Sequence, residues 1–160
     1  MIYAQLLRAD FDKLPRALHA FHSAAGGGRA EGKVVVWRER GLLALLSGFP
    51  PSGDNLPAKV NVVANKDREI WIRQFGNGVL RSVQWIKDDL LVEAIGPVRM
   101  YFRVLGCETG LRFQLVRARL FGMPIPLRIE ATASGGDLSW EFEVKISHVG
   151  SYRGFMEPVA

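Results

Sequence analysis

The feature that most constrains the fold is a strict alternation of apolar and polar residues across residues 138–146. The apolar members of the series are Leu138, Trp140, Phe142, Val144 and Ile146. Successive side chains of a β-strand point to opposite faces, so this pattern predicts a strand with one dry face and one wet face. A dry face has to be covered. The strand must therefore belong to a sheet that packs against another element or curls onto itself.

Shorter versions of the same pattern recur from residue 57 onward, separated by turns rich in Gly, Asn, Asp and Pro. A β-branched run at 34–37 predicts an earlier strand, and 41–49 is a short apolar segment, helix or loop. The later predicted strands cover residues 57–62, 68–75, 79–85, 90–95, 98–104 and 111–115. Strands at this spacing with tight turns between them are typical of an antiparallel meander.

Residues 3–24 are predicted to form the main helix, because five apolar side chains recur there at steps of four and three residues. These side chains are Leu7, Phe11, Leu14, Leu18 and Phe21. A bend or break is expected within residues 10–15, and the glycines at 26–28 end the element. The sequence therefore predicts a mainly β (α+β) fold, in which a strongly curved antiparallel meander sheet or partial barrel packs on an N-terminal helix.

One predicted strand changes phase after Leu115, where the apolar positions move from odd to even residue numbers. A β-bulge would reset the register in this way and is the favoured interpretation. The alternative is that Arg117 or Arg119 points into the concave side of the sheet, where a buried guanidinium needs an anionic partner.

Composition limits the class of protein. A length of 160 residues suits a single domain, residues 1–160, that needs no disulfide or metal to hold its core. Cys107 is the only cysteine, which fits a reducing compartment. Because no apolar stretch has the length of a signal peptide or of a membrane span, we predict a cytoplasmic protein without a transmembrane segment. The net charge of +5 comes from basic residues that are spread along the chain.

Two charged residues share their parity with apolar neighbours. Arg73 falls in the apolar series of 71–75, and Glu93 falls in that of 91–95. A carboxylate on the dry face is either paired or has a raised pKa, and Arg73 is its predicted partner. The alternative is an ordinary cross-strand ion pair, worth under about 1 kcal/mol.

A third candidate is His148, which shares the parity of the strand at 138–146 and would point to the apolar side if that strand ran straight. Placed at the mouth of an apolar cavity near Tyr152 and Arg153, it could do acid–base work or bind an anionic head group. The alternative is a strand-end histidine bonded to a backbone carbonyl. The complete set of candidate ligand-binding residues is Arg73, Glu93, Arg117, His148, Tyr152 and Arg153.

No motif assigns a catalytic residue, a cofactor or a metal. His19 and His22 stand three residues apart, but neither an H-E-x-x-H pattern nor a cysteine partner accompanies them. No G-x-G-x-x-G follows a predicted strand, and no serine lies in a G-x-S-x-G context. No aromatic-plus-basic motif of a known module is present, so nucleic acid is not a predicted partner.

Several short motifs follow one another through the chain. They are Arg73-Gln74-Phe75-Gly76, Gly96-Pro97, Gly110-Leu111, Gly122-Met123-Pro124-Ile125-Pro126 and Gly150-Ser151-Tyr152-Arg153-Gly154. In this order they resemble the bacterial family of domains of unknown function numbered 4166, over about residues 15–158. Members of that family are sometimes joined to a saccharopine-dehydrogenase-like chain. The resemblance therefore implies an association with redox or lipid-type metabolism and an oxidoreductase partner, but it implies no catalytic residues.

Three functions remain open at this point. The first is a module that binds an apolar or amphipathic acidic small molecule in the concave face of the sheet. The second is an accessory domain that docks to an oxidoreductase through the apolar link at 122–127, and the third is an enzyme that uses Glu93 and His148 as acid and base. A cavity of about 300 Å³ or more favours ligand binding, whereas a filled interior favours docking. The enzyme requires both residues in one cleft.

Overall fold

A computed structural model describes residues 1–159 of the protein, and most of these residues lie in strands. The strands are β1 (Arg29–Arg38), β2 (Gly53–Ala64), β3 (Glu69–Phe75), β4 (Gly78–Lys87), β5 (Leu90–Ile95), β6 (Val98–Cys107), β7 (Gly110–Leu120), β8 (Met123–Ile125), β9 (Ile129–Gly135), β10 (Trp140–Ile146) and β11 (Gly150–Pro158). The helices are α1 (Ile2–Leu7), a 3-10 helix (Arg8–Lys13), α2 (Arg16–Ser23) and α3 (Leu42–Leu46).

Ten of these strands close into an antiparallel barrel, with β1 paired to β11 at one seam and β6 paired to β7 at the other. The short strand β8 lies outside the ring and pairs with the end of β7, whereas β9 pairs with its beginning. The predicted curved antiparallel sheet on an N-terminal helix is confirmed, and its curvature is complete. Closure leaves the ring strands with neighbours on both sides, which removes the exposed edges of an open sheet.

Connections between neighbouring antiparallel strands alternate between the two ends of the barrel. We call one end the plug end; it holds residues 1–28 and the turns at 65–68, 88–89, 108–109 and 136–139. The other end, the rim end, holds residues 39–52 with α3, the turns at 76–77, 96–97 and 147–149, and residues 121–128. The interior between the two ends is called the lumen below.

The N-terminal helices fill the plug end. The predicted break is confirmed, because the 3-10 helix separates α1 from α2, and Pro15 precedes the first residue of α2. The apolar faces of these helices are buried against the strands, with Tyr3, Leu18 and Phe21 among the least exposed side chains. Burial of a large apolar side chain contributes about 2 kcal/mol, so this plug stabilises the barrel rather than merely covering it.

The phase change in β7 is a β-bulge. Phe102 pairs with Leu115, but the preceding residue Tyr101 pairs with Arg117, so Val116 is the extra residue. The bulge keeps apolar side chains inside on both sides of Val116. It also places Arg117 on the outer face, where its guanidinium lies 4.2 Å from the ring centroid of Tyr101.

Glycine is required where β1 and β11 close the barrel. Gly154 lies opposite Val34, and a Cβ atom at this position would overlap the carbonyl oxygen of Lys33. We expect Gly154→Ala to lower the free energy of unfolding by about 2 kcal/mol, because the backbone of the seam must shift to accept a methyl group. Urea unfolding measures this change. The control is Gly136→Ala, where an added Cβ meets no atom within 4 Å; equal losses for the two variants would contradict the close approach.

Candidate functional site

The lumen contains a cavity of about 170 Å³. Most of the side chains that line it are apolar, and they come from nearly every strand of the ring. Examples are Phe75, Leu80, Met100, Phe113, Trp140 and Phe142. The interior is therefore not completely filled, but the cavity is smaller than the size of about 300 Å³ expected for a drug-sized ligand. Lipid-sized or polyketide-sized molecules do not fit inside it without opening the barrel.

Arg73, Ser82 and Glu93 form a polar cluster on the adjacent strands β3, β4 and β5, and Arg73 and Glu93 line this cavity. Arg73 donates hydrogen bonds from Nη1 to Oγ of Ser82 at 2.8 Å and from Nη2 to Oε1 of Glu93 at 3.0 Å. Ser82 in turn donates to the same carboxylate oxygen at 2.6 Å. The guanidinium also lies 4.8 Å from the ring centroid of Trp71. Arg73 and Glu93 thus form the pair that their parity predicted.

The ion pair sets the electrostatics of the lumen. Burial is the largest single influence and lowers the pKa of Arg73, but the Glu93 carboxylate, together with smaller contributions from Tyr152 and Tyr3, outweighs it, and the pKa of the guanidinium is raised. Arg73 therefore stays charged, and its charge is balanced by Glu93. Because a guanidinium carries five N–H donors and only two of those of Arg73 are bonded to Ser82 and Glu93, donors remain for a molecule in the cavity.

Tyr152 lies in the same lumen, on β11, with its ring packed against Phe75, Phe49 and Phe142 at centroid distances of 5.2 to 5.9 Å. Burial raises the pKa of its phenol, and the Arg73 charge opposes this only in part. The hydroxyl makes no hydrogen bond to another group among residues 1–159, but it remains accessible to a water molecule. It is therefore a hydrogen-bonding group that faces the cavity.

The plug contributes further polar groups that sequence reasoning missed. Tyr3 donates from its hydroxyl to Oε1 of Gln84 at 3.2 Å, and its ring lies 4.0 Å from that of His22, measured between centroids. Burial lowers the pKa of His22 to about 3, so the imidazole is neutral in the folded protein. Glu69 accepts hydrogen bonds from the backbone N–H of Ile2 at 3.1 Å and from the Trp71 indole at 3.3 Å, which anchors α1 to β3.

His148 does not line the lumen. β10 ends at Ile146, and His148 lies exposed in the following turn with a φ of 62°. The left-handed backbone of this turn breaks the parity from which the inward orientation was predicted, and the next residue, Val149, is buried instead. Glu93 and His148 therefore do not share a cleft, and the predicted acid–base pair is wrong.

Arg117 and Arg153 also lie outside the lumen. The bulge at Val116 turns Arg117 outward, as described above. Arg153 follows Tyr152 directly in β11, so the two side chains point to opposite faces, and Arg153 lies exposed opposite Glu143. Of the six predicted residues, the structure brings Arg73, Glu93 and Tyr152 together. Their role in binding a ligand stays a prediction.

Among residues 1–159, no group of three or more His, Cys, Asp or Glu side chains is arranged to hold a metal ion. Within the same range, no helix has both the length and the apolar character needed to cross a membrane.

The chain was compared with known families and proteins. Residues 14–151 match the family model described as domain of unknown function DUF4166. Neither the curated proteins nor the solved structures gave a significant match. The family match does not show that this chain is joined to a saccharopine-dehydrogenase-like chain, so docking to an oxidoreductase stays a prediction of the resemblance.

Proposed function

The chain belongs to the DUF4166 family, and we propose that its barrel binds a small, mainly apolar molecule in the lumen. The observation that carries the proposal is the coexistence of an unfilled apolar cavity with polar groups directed into it. Protein interiors are normally packed to the density of organic crystals, so unfilled space beside a buried arginine is unusual. Small-molecule sites have this composition, with mostly apolar walls and a few polar groups that fix orientation.

The size of the cavity limits the ligand. A volume of about 170 Å³ is close to the roughly 150 Å³ of an engineered apolar cavity in another protein that stays dry and takes up benzene. The lumen therefore accommodates one aromatic ring or a short alkyl chain. A larger molecule would have to leave part of its length outside.

The charge of the polar cluster favours a neutral head group. Glu93 already neutralises Arg73, and Glu69 adds a further carboxylate near the plug. An acidic ligand would therefore bring a net negative charge into a low-dielectric space without a free cation to balance it. This argues against the acidic part of the predicted ligand class. A hydroxyl or carbonyl group can instead bond to the Tyr152 hydroxyl and to the remaining N–H donors of Arg73.

Three aromatic probes of similar size distinguish a neutral polar head group from an apolar or an acidic one: toluene, benzyl alcohol and benzoate. We expect benzyl alcohol to bind most tightly and benzoate most weakly, as measured by isothermal titration calorimetry. The fluorescence of Trp71 and Trp140, which line the cavity, provides a second readout. Tyr152→Phe should weaken benzyl alcohol binding about fivefold, because one hydrogen bond contributes about 1 kcal/mol, and should leave toluene binding unchanged. Tyr101→Phe, on the outer face, is the matched control.

A second variant tests the location. Ala131 lines the cavity, and Ala131→Leu should abolish binding of both toluene and benzyl alcohol because the added carbons occupy the space. Ala94, which lies beside Glu93 in β5 and therefore points outward, provides the control Ala94→Leu. The proposal is wrong if the unaltered protein binds none of the three probes, or if Ala131→Leu binds them as the unaltered protein does.

A further inference from the structure

Four large apolar side chains are exposed together at the rim end. Leu42 and Leu45 lie on the outer side of α3, and Phe121 and Met123 lie on the β7–β8 hairpin; each is 70 to 73% exposed. We call these four residues the rim patch. Single exposed apolar residues are ordinary, but a cluster of them marks an interaction surface.

The two halves of the rim patch meet at the turn between β5 and β6. The Pro97 carbonyl accepts a hydrogen bond from the backbone N–H of Phe121 at 3.1 Å. On the other side of the turn, the Leu46 carbonyl oxygen lies 3.2 Å from the point where a Cβ of Gly96 would be. The hairpin and α3 therefore flank the same turn, one on each side of it.

The backbone at Phe121 is strained. The hairpin loop is Phe121–Gly122, and both residues have positive φ values, 49° and 82°. Such two-residue turns favour Asn, Asp or Gly at the first position, and a bulky residue there is an outlier. The strain does not serve packing, since the ring of Phe121 is exposed. A strained position that holds an aromatic ring in solvent indicates a role in contacting a partner.

The charges around the patch are predominantly positive. Five exposed arginines belong to the rim end or to the adjacent strand ends: Arg38, Arg40, Arg99, Arg119 and Arg128. None of the five forms a salt bridge within residues 1–159, and three acidic residues, Glu39, Asp54 and Glu130, lie at the same end. Arg99 and Arg119 even pair directly across β6 and β7, an arrangement that costs stability when no anion is bound.

The opposite end has the reverse balance. Residues 1–28 and the four turns of the plug end contain five basic residues and seven acidic ones: Arg8, Lys13, Arg16, Lys66 and Arg68 against Asp10, Asp12, Asp67, Asp88, Asp89, Glu108 and Asp137. The rim end therefore carries a net positive charge and the plug end a net negative one. An anionic surface attracts the protein with its rim end forward and repels the other end.

From these observations we propose that the rim end docks onto the surface of an anionic lipid bilayer, with the rim patch inserted among the head groups and the arginines bound to lipid phosphates. Exposed apolar side chains with basic residues beside them are the pattern that binds a lipid interface, since both apolar burial and charge attraction contribute to the affinity. The docked barrel would present the rim-end side of the lumen to the membrane. Docking to the membrane does not depend on ligand binding in the lumen.

Sedimentation with lipid vesicles tests the proposal. We expect the protein to bind vesicles of phosphatidylcholine and phosphatidylglycerol at least about tenfold more tightly than vesicles of phosphatidylcholine alone. Arg119→Gln should weaken binding about fivefold, whereas Arg16→Gln, at the plug end, should not change it. Equal binding of the unaltered protein to both kinds of vesicle, or binding to neither, would overturn the proposal.

Phe121→Asn separates docking from folding. Asn followed by Gly122 suits a turn with two positive φ values, so this variant should be at least as stable as the unaltered protein. Its vesicle binding should nevertheless fall about tenfold, because the inserted ring is lost. Leu138→Asn, at a residue 81% exposed at the plug end, is the matched control and should bind normally. If Phe121→Asn binds anionic vesicles like the unaltered protein, the proposal is wrong. Ala131→Leu should still bind vesicles, which keeps this test independent of the lumen.

Discussion

Replacing Arg73 by methionine is expected to lower the free energy of unfolding by about 3 kcal/mol. Methionine keeps much of the apolar stem of arginine but removes its charge. The Glu93 carboxylate then lies in the lumen with Ser82 as its remaining hydrogen-bond donor. Urea unfolding followed by circular dichroism measures the loss, and the midpoint should move without a change in slope.

The double variant Arg73→Met with Glu93→Leu tests whether the unpaired carboxylate causes this loss of stability. With both charges removed the desolvation penalty disappears, so most of the lost stability should return. The surface pair of Lys59 and Glu31, with an N–O distance of 3.0 Å, provides the control. Lys59→Met should cost less than about 1 kcal/mol, because an exposed pair contributes little. If Arg73→Met costs no more than Lys59→Met, the polar cluster is solvated and the argument for a neutral ligand head group is wrong.

The second large effect is a loss of stability in acid that depends on His22. Above pH 6.5, the ordinary pKa of histidine, the imidazole is neutral in both the folded and the unfolded chain. Below pH 6.5 the imidazole of the unfolded chain binds a proton, whereas His22 in the folded chain stays neutral until the pH approaches its pKa of about 3. Stability therefore falls as the pH falls through this window, by about 3 kcal/mol between about pH 7 and pH 4.

His22→Phe should remove this part of the pH dependence, because phenylalanine fills a similar volume and does not titrate. The measurement is the free energy of unfolding at several pH values for both proteins, and His22→Phe should gain stability relative to the unaltered protein by about 3 kcal/mol between about pH 7 and pH 4. His19, which is more exposed and lies 3.8 Å from Asp12, provides the control His19→Phe. Parallel pH curves for the unaltered protein and His22→Phe would show that the imidazole is not buried in neutral form.

Much of the barrel could be predicted because its strands obey a simple parity. In β3, β6 and β10 each inward residue is apolar or paired, so alternation alone identifies the strand and its dry face. The bulge at Val116 was predictable for the same reason, since only an extra residue restores the parity of β7. Complete closure was not predictable, because it depends on pairing between the first and last strands of the chain.

Two strands of the ring, β9 and β11, were not predicted from the sequence, for physical reasons. β9 (Ile129–Gly135) presents the small residues Ala131 and Ala133 to the lumen, so its apolar signal is weak although its alternation is regular. β11 (Gly150–Pro158) carries Gly154 where a larger side chain would overlap β1, which gives it the composition of a turn. In both strands the small residues are explained by neighbours that lie far away in sequence.

Residues of the site were predicted correctly only within regular strands, where alternation defines the inward face. Arg73 and Glu93 lie within regular strands, so their inward orientation followed from their neighbours. His148 follows the end of a strand, where a positive φ resets the direction of the chain. Tyr3 and His22 come from the plug, and nothing in the helical pattern indicates that these two faces meet the lumen of a barrel. Ser82 and Gln84 were detectable, since they share the inward parity of Leu80 in β4.

The seam between β1 and β11 has a consequence for biosynthesis. Ala30 pairs with Pro158, so one edge of β1 stays unpaired during synthesis until β11, more than 100 residues later in the chain, has been made. Until then the nascent chain carries an unpaired strand whose Val34 and Val36 side chains are destined for the interior. Long-range pairing of this kind slows folding and exposes a surface that other chains can join. A chain that lacks β11 would leave the edges of β1 and β10 open, and such a product is expected to aggregate rather than to fold into a smaller barrel.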